Sequence, residues 1–173
     1  IGALCVLFAF LYTTGPYPLS YNGWGDVLVI IFFGFVPVGG TYYVQALTWT
    51  PDVTIASIIC GLLIDTLLVV NNYRDREADA RSGKRTVIVR FGEKFGRYFY
   101  LLLGISASLL CLYFLREGHI YAALLPQLYL VPHVLTWRRM VKIHSGKKLN
   151  SILGETSRNM LFMGILLAIG MIL

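Results

Sequence analysis

Long apolar runs alternate with short polar stretches along the whole chain. Six runs stand out, at residues 1–12, 27–47, 53–70, 98–115, 120–137 and 152–173. All but the first approach the roughly 17–25 residues that a helix needs to cross a bilayer. The pattern predicts an all-α integral membrane protein, with about six transmembrane helices in a single domain over residues 1–173. The first run is too short for a full crossing, opens on Ile1 and has no positive flank. It is therefore expected to be the end of a helix begun upstream, and the chain the C-terminal part of a longer protein. Pro37 with Gly39-Gly40 interrupts the second run, and Pro126 and Pro132 interrupt the fifth. Kinks there either border a cavity or serve ordinary packing of small residues at helix crossings.

Composition agrees with the pattern. Hydrophobic residues make up 57% of the chain and the mean hydropathy is +0.68, which excludes a soluble fold of this size. The net charge of +6 is local, because 13 of the 15 Lys and Arg fall within residues 74–97 and 138–148. Basic residues beside bilayer-length runs follow the positive-inside rule, so nucleic acid is not an expected partner and the lipid bilayer is. Eight Lys/Arg lie between the third and fourth runs and five between the fifth and sixth, which predicts that both loops face the cytoplasm of a bacterial cell. Alternation then puts residues 13–26 on the same side, as part of a cap over an intramembrane cavity. The basic stretch 138–150 is expected to touch anionic headgroups. Cys5, Cys60 and Cys111 sit in apolar runs without metal-ligand spacing and read as packing residues; His119, His133 and His144 are dispersed and read as structural or interfacial.

Candidate chemistry concentrates in residues 71–86, Asn-Asn-Tyr-Arg-Asp-Arg-Glu-Ala-Asp-Ala-Arg-Ser-Gly-Lys-Arg-Thr, directly after the third run. On a helix, Asn71, Asp75 and Asp79 stack on one face about 6 Å apart. Such an oxygen ladder can hold Mg²⁺, which favours one or two carboxylates together with substrate phosphate oxygens and water. Lys84 and Arg85 follow, and cations beside a carboxylate-bound metal suit a diphosphate leaving group. The plainer alternative is a solvated charge pattern in which Arg74, Arg76 and Arg81 pair with the aspartates. Asp65 lies inside the third run, where an ionised side chain is costly. It continues the face of Asn72 and Asp79 inward, either as a substrate-facing carboxylate or proton acceptor or as a buried acid neutralised by a neighbour.

The run 71–86 resembles the second aspartate-rich motif of the UbiA-type membrane prenyltransferases. Its paired Asn71-Asn72 and trailing Gly83-Lys84-Arg85-Thr86 resemble the 1,4-dihydroxy-2-naphthoate polyprenyltransferase branch of menaquinone synthesis. Tyr12-Thr13-Thr14-Gly15-Pro16-Tyr17-Pro18-Leu19, Gly23-Trp24-Gly25-Asp26 and Gly39-Gly40-Thr41-Tyr42-Tyr43-Val44-Gln45 are similar to the same branch. The resemblance implies helices four to nine of a nine-helix bundle, without the first aspartate-rich motif. It implies Mg²⁺ at Asp75 and Asp79, leaving-group assistance from Lys84 and Arg85, and substrate contacts from Asn71, Asn72, Arg74, Arg81, Tyr42, Tyr43 and Gln45. Tyr42 and Tyr43 would shield an allylic cation or serve as packing aromatics. The implied reaction joins a polyprenyl diphosphate to an aromatic acceptor, with loss of CO₂ in the naphthoate branch. Other acceptors such as 4-hydroxybenzoate or homogentisate, or a non-catalytic transporter or assembly partner, are the alternatives. No tail length or subunit number is specified by the pattern.

Overall fold

A computed structural model describes residues 2–173; Ile1, the head of the first apolar run, lies outside the described residues. Helices follow the six runs: α1 Gly2–Thr13, α2 Gly25–Ala46, α3 Pro51–Arg81, α4 Val87–Leu115, α5 at residues 120–143 and α6 Lys147–Ile172. Among the described residues, 4 of them, α2, α3, α4 and α6, are long and apolar enough to cross a membrane. The protein is an all-helical integral membrane protein.

α5 falls outside that group because Gln127, His133 and two prolines dilute its apolar character, and its path tightens into a 3-10 turn at Leu125–Tyr129. Its polar groups are satisfied against α4. Gln127 accepts from Ser108 Oγ at 2.8 Å and donates to the Ser108 carbonyl at 2.8 Å. His133 bonds the Tyr129 hydroxyl at 2.9 Å and the Leu101 carbonyl at 3.2 Å, and its ring fills the space that Gly104 leaves open. Buried polar side chains within an apolar bundle need such partners. His133 is thereby a structural residue, as its isolation in the sequence suggests.

α3 is the central helix, packed against α2, α4 and α6. Thr50 caps its start by accepting from the Val53 amide, and Pro51 stands at the first helical position, where no amide is missed. The helix does not stop where the apolar run ends at Val70; it continues about three turns further to Arg81. Two apolar clusters lie along it, one around Ile59, Leu63, Phe114 and Met163, the other around Val69, Tyr73, Tyr100 and Ile152. The second cluster anchors the charged end of the bundle.

α2 reaches α3 by a backbone crossing. Its middle, Ile30–Gly39, is a π-helix that accommodates Pro37, whose missing N–H breaks the α-helical ladder. Gly34 faces the Ser57 carbonyl and Gly61, while a Cβ on Gly61 would come within 2.9 Å of Ile30 Cα. Small residues thus let the two backbones touch, as at close crossings in membranes generally.

α4 begins earlier than its apolar run. Thr86 Oγ1 accepts from the Val89 amide at 3.2 Å, and a short helical turn leads to Gly92, where the chain bends at φ 87° and ψ 173°. That conformation is essentially restricted to glycine. Gly92→Ala is expected to destabilise the protein by about 1–3 kcal/mol, read as a lower thermal midpoint in detergent; an unchanged midpoint would show that the bend is unstrained.

Candidate functional site

The charged end of α3 closes with a Schellman turn. The Lys84 amide donates to the Asp79 carbonyl at 2.9 Å and the Gly83 amide to the Ala80 carbonyl at 3.3 Å, with Gly83 at φ 79°. This reversal folds Lys84 back over the helix end. Its ammonium stands 3.5 Å from Asp79 Oδ2, near enough for charge attraction, yet that oxygen is buried and receives no hydrogen bond.

The loop after α1 closes over the same end. The Arg85 amide donates to the Tyr21 carbonyl at 2.7 Å, and Arg90 Nη2 donates to the Asn22 carbonyl at 2.7 Å. Ser20 Oγ ties the loop back to α1 by donating to the Tyr12 carbonyl at 2.6 Å. Gly23 is required at this contact: it has φ 82°, and a Cβ there would meet the Arg85 carbonyl at 3.0 Å.

Between loop and helix lies a cavity of about 340 Å³, lined by Tyr12, Asp26, Leu68, Asn71, Asn72, Asp79, Ser82, Lys84 and Thr86 among others. Two apolar clefts of about 560 and 550 Å³ continue from it. They share Cys5, Phe8, Leu28 and Phe32, and the second meets the polar cavity at Tyr12 and Leu68. A charged chamber thus opens onto a greasy groove between α1 and α2, a combination suited to an amphiphile with an anionic head and an apolar tail.

Of the residues singled out in the sequence, Asn71, Asn72, Asp79 and Lys84 are brought together in this cavity. Asp75 is on the same helix but bound elsewhere: Arg74 holds it by two hydrogen bonds of 2.7 and 2.6 Å, while also donating to Asn71 at 2.6 Å and Asn150 at 2.9 Å. Arg74 is therefore a clamp between α3 and α6. Arg85 and Arg81 are exposed, and Arg85 reaches the loop through its backbone amide. Tyr42, Tyr43 and Gln45 are at the other end of α2. They follow Asp26 by sixteen or more residues on one helix, which by helical rise places them most of a membrane thickness from the polar cavity, although Tyr43 lines the far end of the first apolar cleft.

Asp65 is wholly buried, and neither of its oxygens has a hydrogen-bond partner. Its carboxyl group lies beside that of Asp26, on the first turn of α2. Asp26 appears in the sequence only as the end of the stretch Gly23-Trp24-Gly25-Asp26. The signal that marks it is a lone acid flush against an apolar run, which gains meaning once α2 crosses α3.

As a metal position, the residues fit half a site. Asp79 offers a buried oxygen with no donor, whereas both oxygens of Asp75, one turn away, are taken by Arg74. No group of three or more His, Cys, Asp or Glu among the described residues could hold an ion by itself.

Comparison with known proteins bears on the same residues. The model of the UbiA prenyltransferase family matches residues 1–172. The 1,4-dihydroxy-2-naphthoate octaprenyltransferase of Haemophilus influenzae is 41% identical over 111 residues, covering 64% of this chain and 36% of that protein. The enzyme of that name from Escherichia coli is 40% identical over 112 residues, covering 65% and 36%. The UbiA prenyltransferase domain-containing protein 1 of Dictyostelium discoideum is 30% identical over 173 residues, covering 100% of this chain and 51% of that protein. The aligned regions thus take in between about a third and a half of these relatives. No solved structure matches the chain. With a family model spanning nearly every residue and the aspartate-rich helix end packed as a polar chamber, the chain belongs to the UbiA prenyltransferase family.

Proposed function

We propose that the protein transfers a polyprenyl group from polyprenyl diphosphate to 1,4-dihydroxy-2-naphthoate, releasing CO₂ and diphosphate and forming demethylmenaquinol, the reduced form of demethylmenaquinone. The observation that carries this reading is the junction of the Asp79–Lys84 cavity with the apolar groove at Tyr12 and Leu68. The similarity to bacterial 1,4-dihydroxy-2-naphthoate octaprenyltransferases supports the naphthoate as acceptor.

The groove takes the isoprenoid tail, and the cavity takes the diphosphate. Lys84 faces the leaving group as its negative charge grows, and Asn71 and Asn72 donate amide hydrogen bonds to the phosphate oxygens. Asp79, joined by Asp75 once the incoming diphosphate draws Arg74 off its carboxylate, would hold Mg²⁺, which when bound would supply further positive charge to the departing diphosphate. Thr86 and the loop at Ser20 and Tyr21 close the chamber against water, which would otherwise capture the allylic cation. The eight Lys/Arg around this end favour its facing the cytoplasm of the bacterial membrane.

Incubating the intact protein in lipid vesicles with a polyprenyl diphosphate, Mg²⁺ and candidate acceptors tests the assignment. A prenylated, decarboxylated naphthoquinol is the expected product; prenylated 4-hydroxybenzoate or homogentisate in its place would overturn the choice of acceptor.

A further inference from the structure

Asp26 and Asp65 are exposed by only 7% and 0%. Asp26 Oδ1 and both oxygens of Asp65 lack any hydrogen-bond donor, and neither residue joins a salt bridge among the described residues. Asp26 lines the cavity, and Asp65 stands against it about one turn of α3 below Leu68. Tyr12 is beside both and its hydroxyl also lies against Gly25. Two adjacent buried carboxyl groups with no cation between them cannot both ionise. Even a proton between them leaves oxygens of the pair open. An acid so placed in a membrane helix is costly, and the missing partner is a donor that enters from the cavity.

We propose that the Asp26–Asp65 pair is the acceptor subsite, binding a hydroxyl group of the aromatic substrate and taking its proton as the new carbon–carbon bond forms. The proposal rests on the prenyl-transfer reading above. An aromatic ring against Leu68 and Tyr12 points a hydroxyl to the ionised member of the pair, leaving Asn72 and Lys84 to the diphosphate. As the ring carbon attacks the prenyl C1, the hydroxyl O–H bond breaks and its proton passes to the carboxylate. The oxygen becomes a ketone, and the C1–O bond breaks with its electrons leaving on the diphosphate. Loss of the ring carboxylate as CO₂ then returns a bonding pair to the ring, and the stored proton goes back to the oxygen. No oxidant or reductant is needed, and the pair ends as it began.

The test uses Asp65→Asn and Asp26→Asn in the intact protein in lipid vesicles. Each is expected to lower prenyl transfer about a hundredfold or more, with polyprenyl diphosphate binding unchanged and acceptor binding weakened. A ring-fluorinated acceptor, whose hydroxyl is more acidic, needs less help from a base and is expected to recover about tenfold of the loss. A purely structural role would not respond to acceptor acidity. Transfer within about threefold of the native rate, a parallel loss of diphosphate binding, no recovery with the fluorinated ring, or a raised Mg²⁺ requirement would each overturn the proposal. Asp79→Asn separates this from the underlying reading: if that variant still transfers normally the prenyl-transfer site is wrong, whereas an inactive Asp79→Asn beside an active Asp65→Asn removes only the acceptor subsite.

Discussion

Asp79→Asn is expected to lower prenyl transfer and diphosphate release together by about a thousandfold, because the reaction needs positive charge held against the leaving diphosphate. The side chain is nearly isosteric, and Asp79 Oδ2 accepts no hydrogen bond in the resting protein. Stability should therefore be little changed, and a thermal midpoint close to the native one would accompany the loss. Lys84→Met should act in the same direction, since the Schellman turn at Gly83 brings the Lys84 ammonium to 3.5 Å from that carboxylate. Release of labelled diphosphate from a polyprenyl diphosphate in Mg²⁺ buffer is the measurement. An unchanged rate in Asp79→Asn would end the enzyme reading and return the charged helix end to its plainer role as a solvated ion-pair surface.

What the sequence made legible is the spacing along one helix. Asn72 and Asp79 are seven residues apart, and the interval alone puts them on one side of α3 with Asp65 beneath. It could not choose which side meets the cavity. Asp75 is close enough in sequence to share that face, yet Arg74 draws it away by a bidentate contact and bonds Asn150 of α6 as well, a partner 76 residues distant. Tyr42, Tyr43 and Gln45 show the opposite limit. Motif resemblance groups them with the site; helical rise along α2 keeps them from the polar cavity, and of the three Tyr43 lines the apolar cleft. The pairing of Asp26 with Asp65 is invisible to periodicity, since it depends on where two helices cross. The boundaries of α3 and α4 moved for a simpler reason: hydropathy marks the membrane-facing length, while caps at Thr50, Thr86 and Gly83 mark the helix.

The crossing that creates this pair gives the second large effect. Gly61→Val is expected to unfold or misassemble the α2–α3 contact, because its Cβ alone would approach Ile30 Cα within 2.9 Å and the Ile30 carbonyl within 3.1 Å. Those atoms are backbone and cannot rotate away, so α2 must move as a body. Overpacking of this kind costs about 3 kcal/mol or more, and the displaced α2 would carry Asp26 off Asp65 and open the cavity wall. The variant should show a lower thermal midpoint, earlier denaturation in detergent mixtures, and loss of transfer with any acceptor. Gly154→Ala is the matching control, since a Cβ there meets nothing within 4 Å and alanine is the better helix former. If Gly61→Val were as stable and active as Gly154→Ala, the close approach of α2 and α3 would not be what sets the Asp26–Asp65 contact, and the acceptor subsite would have to be held by the loop at Gly23 instead.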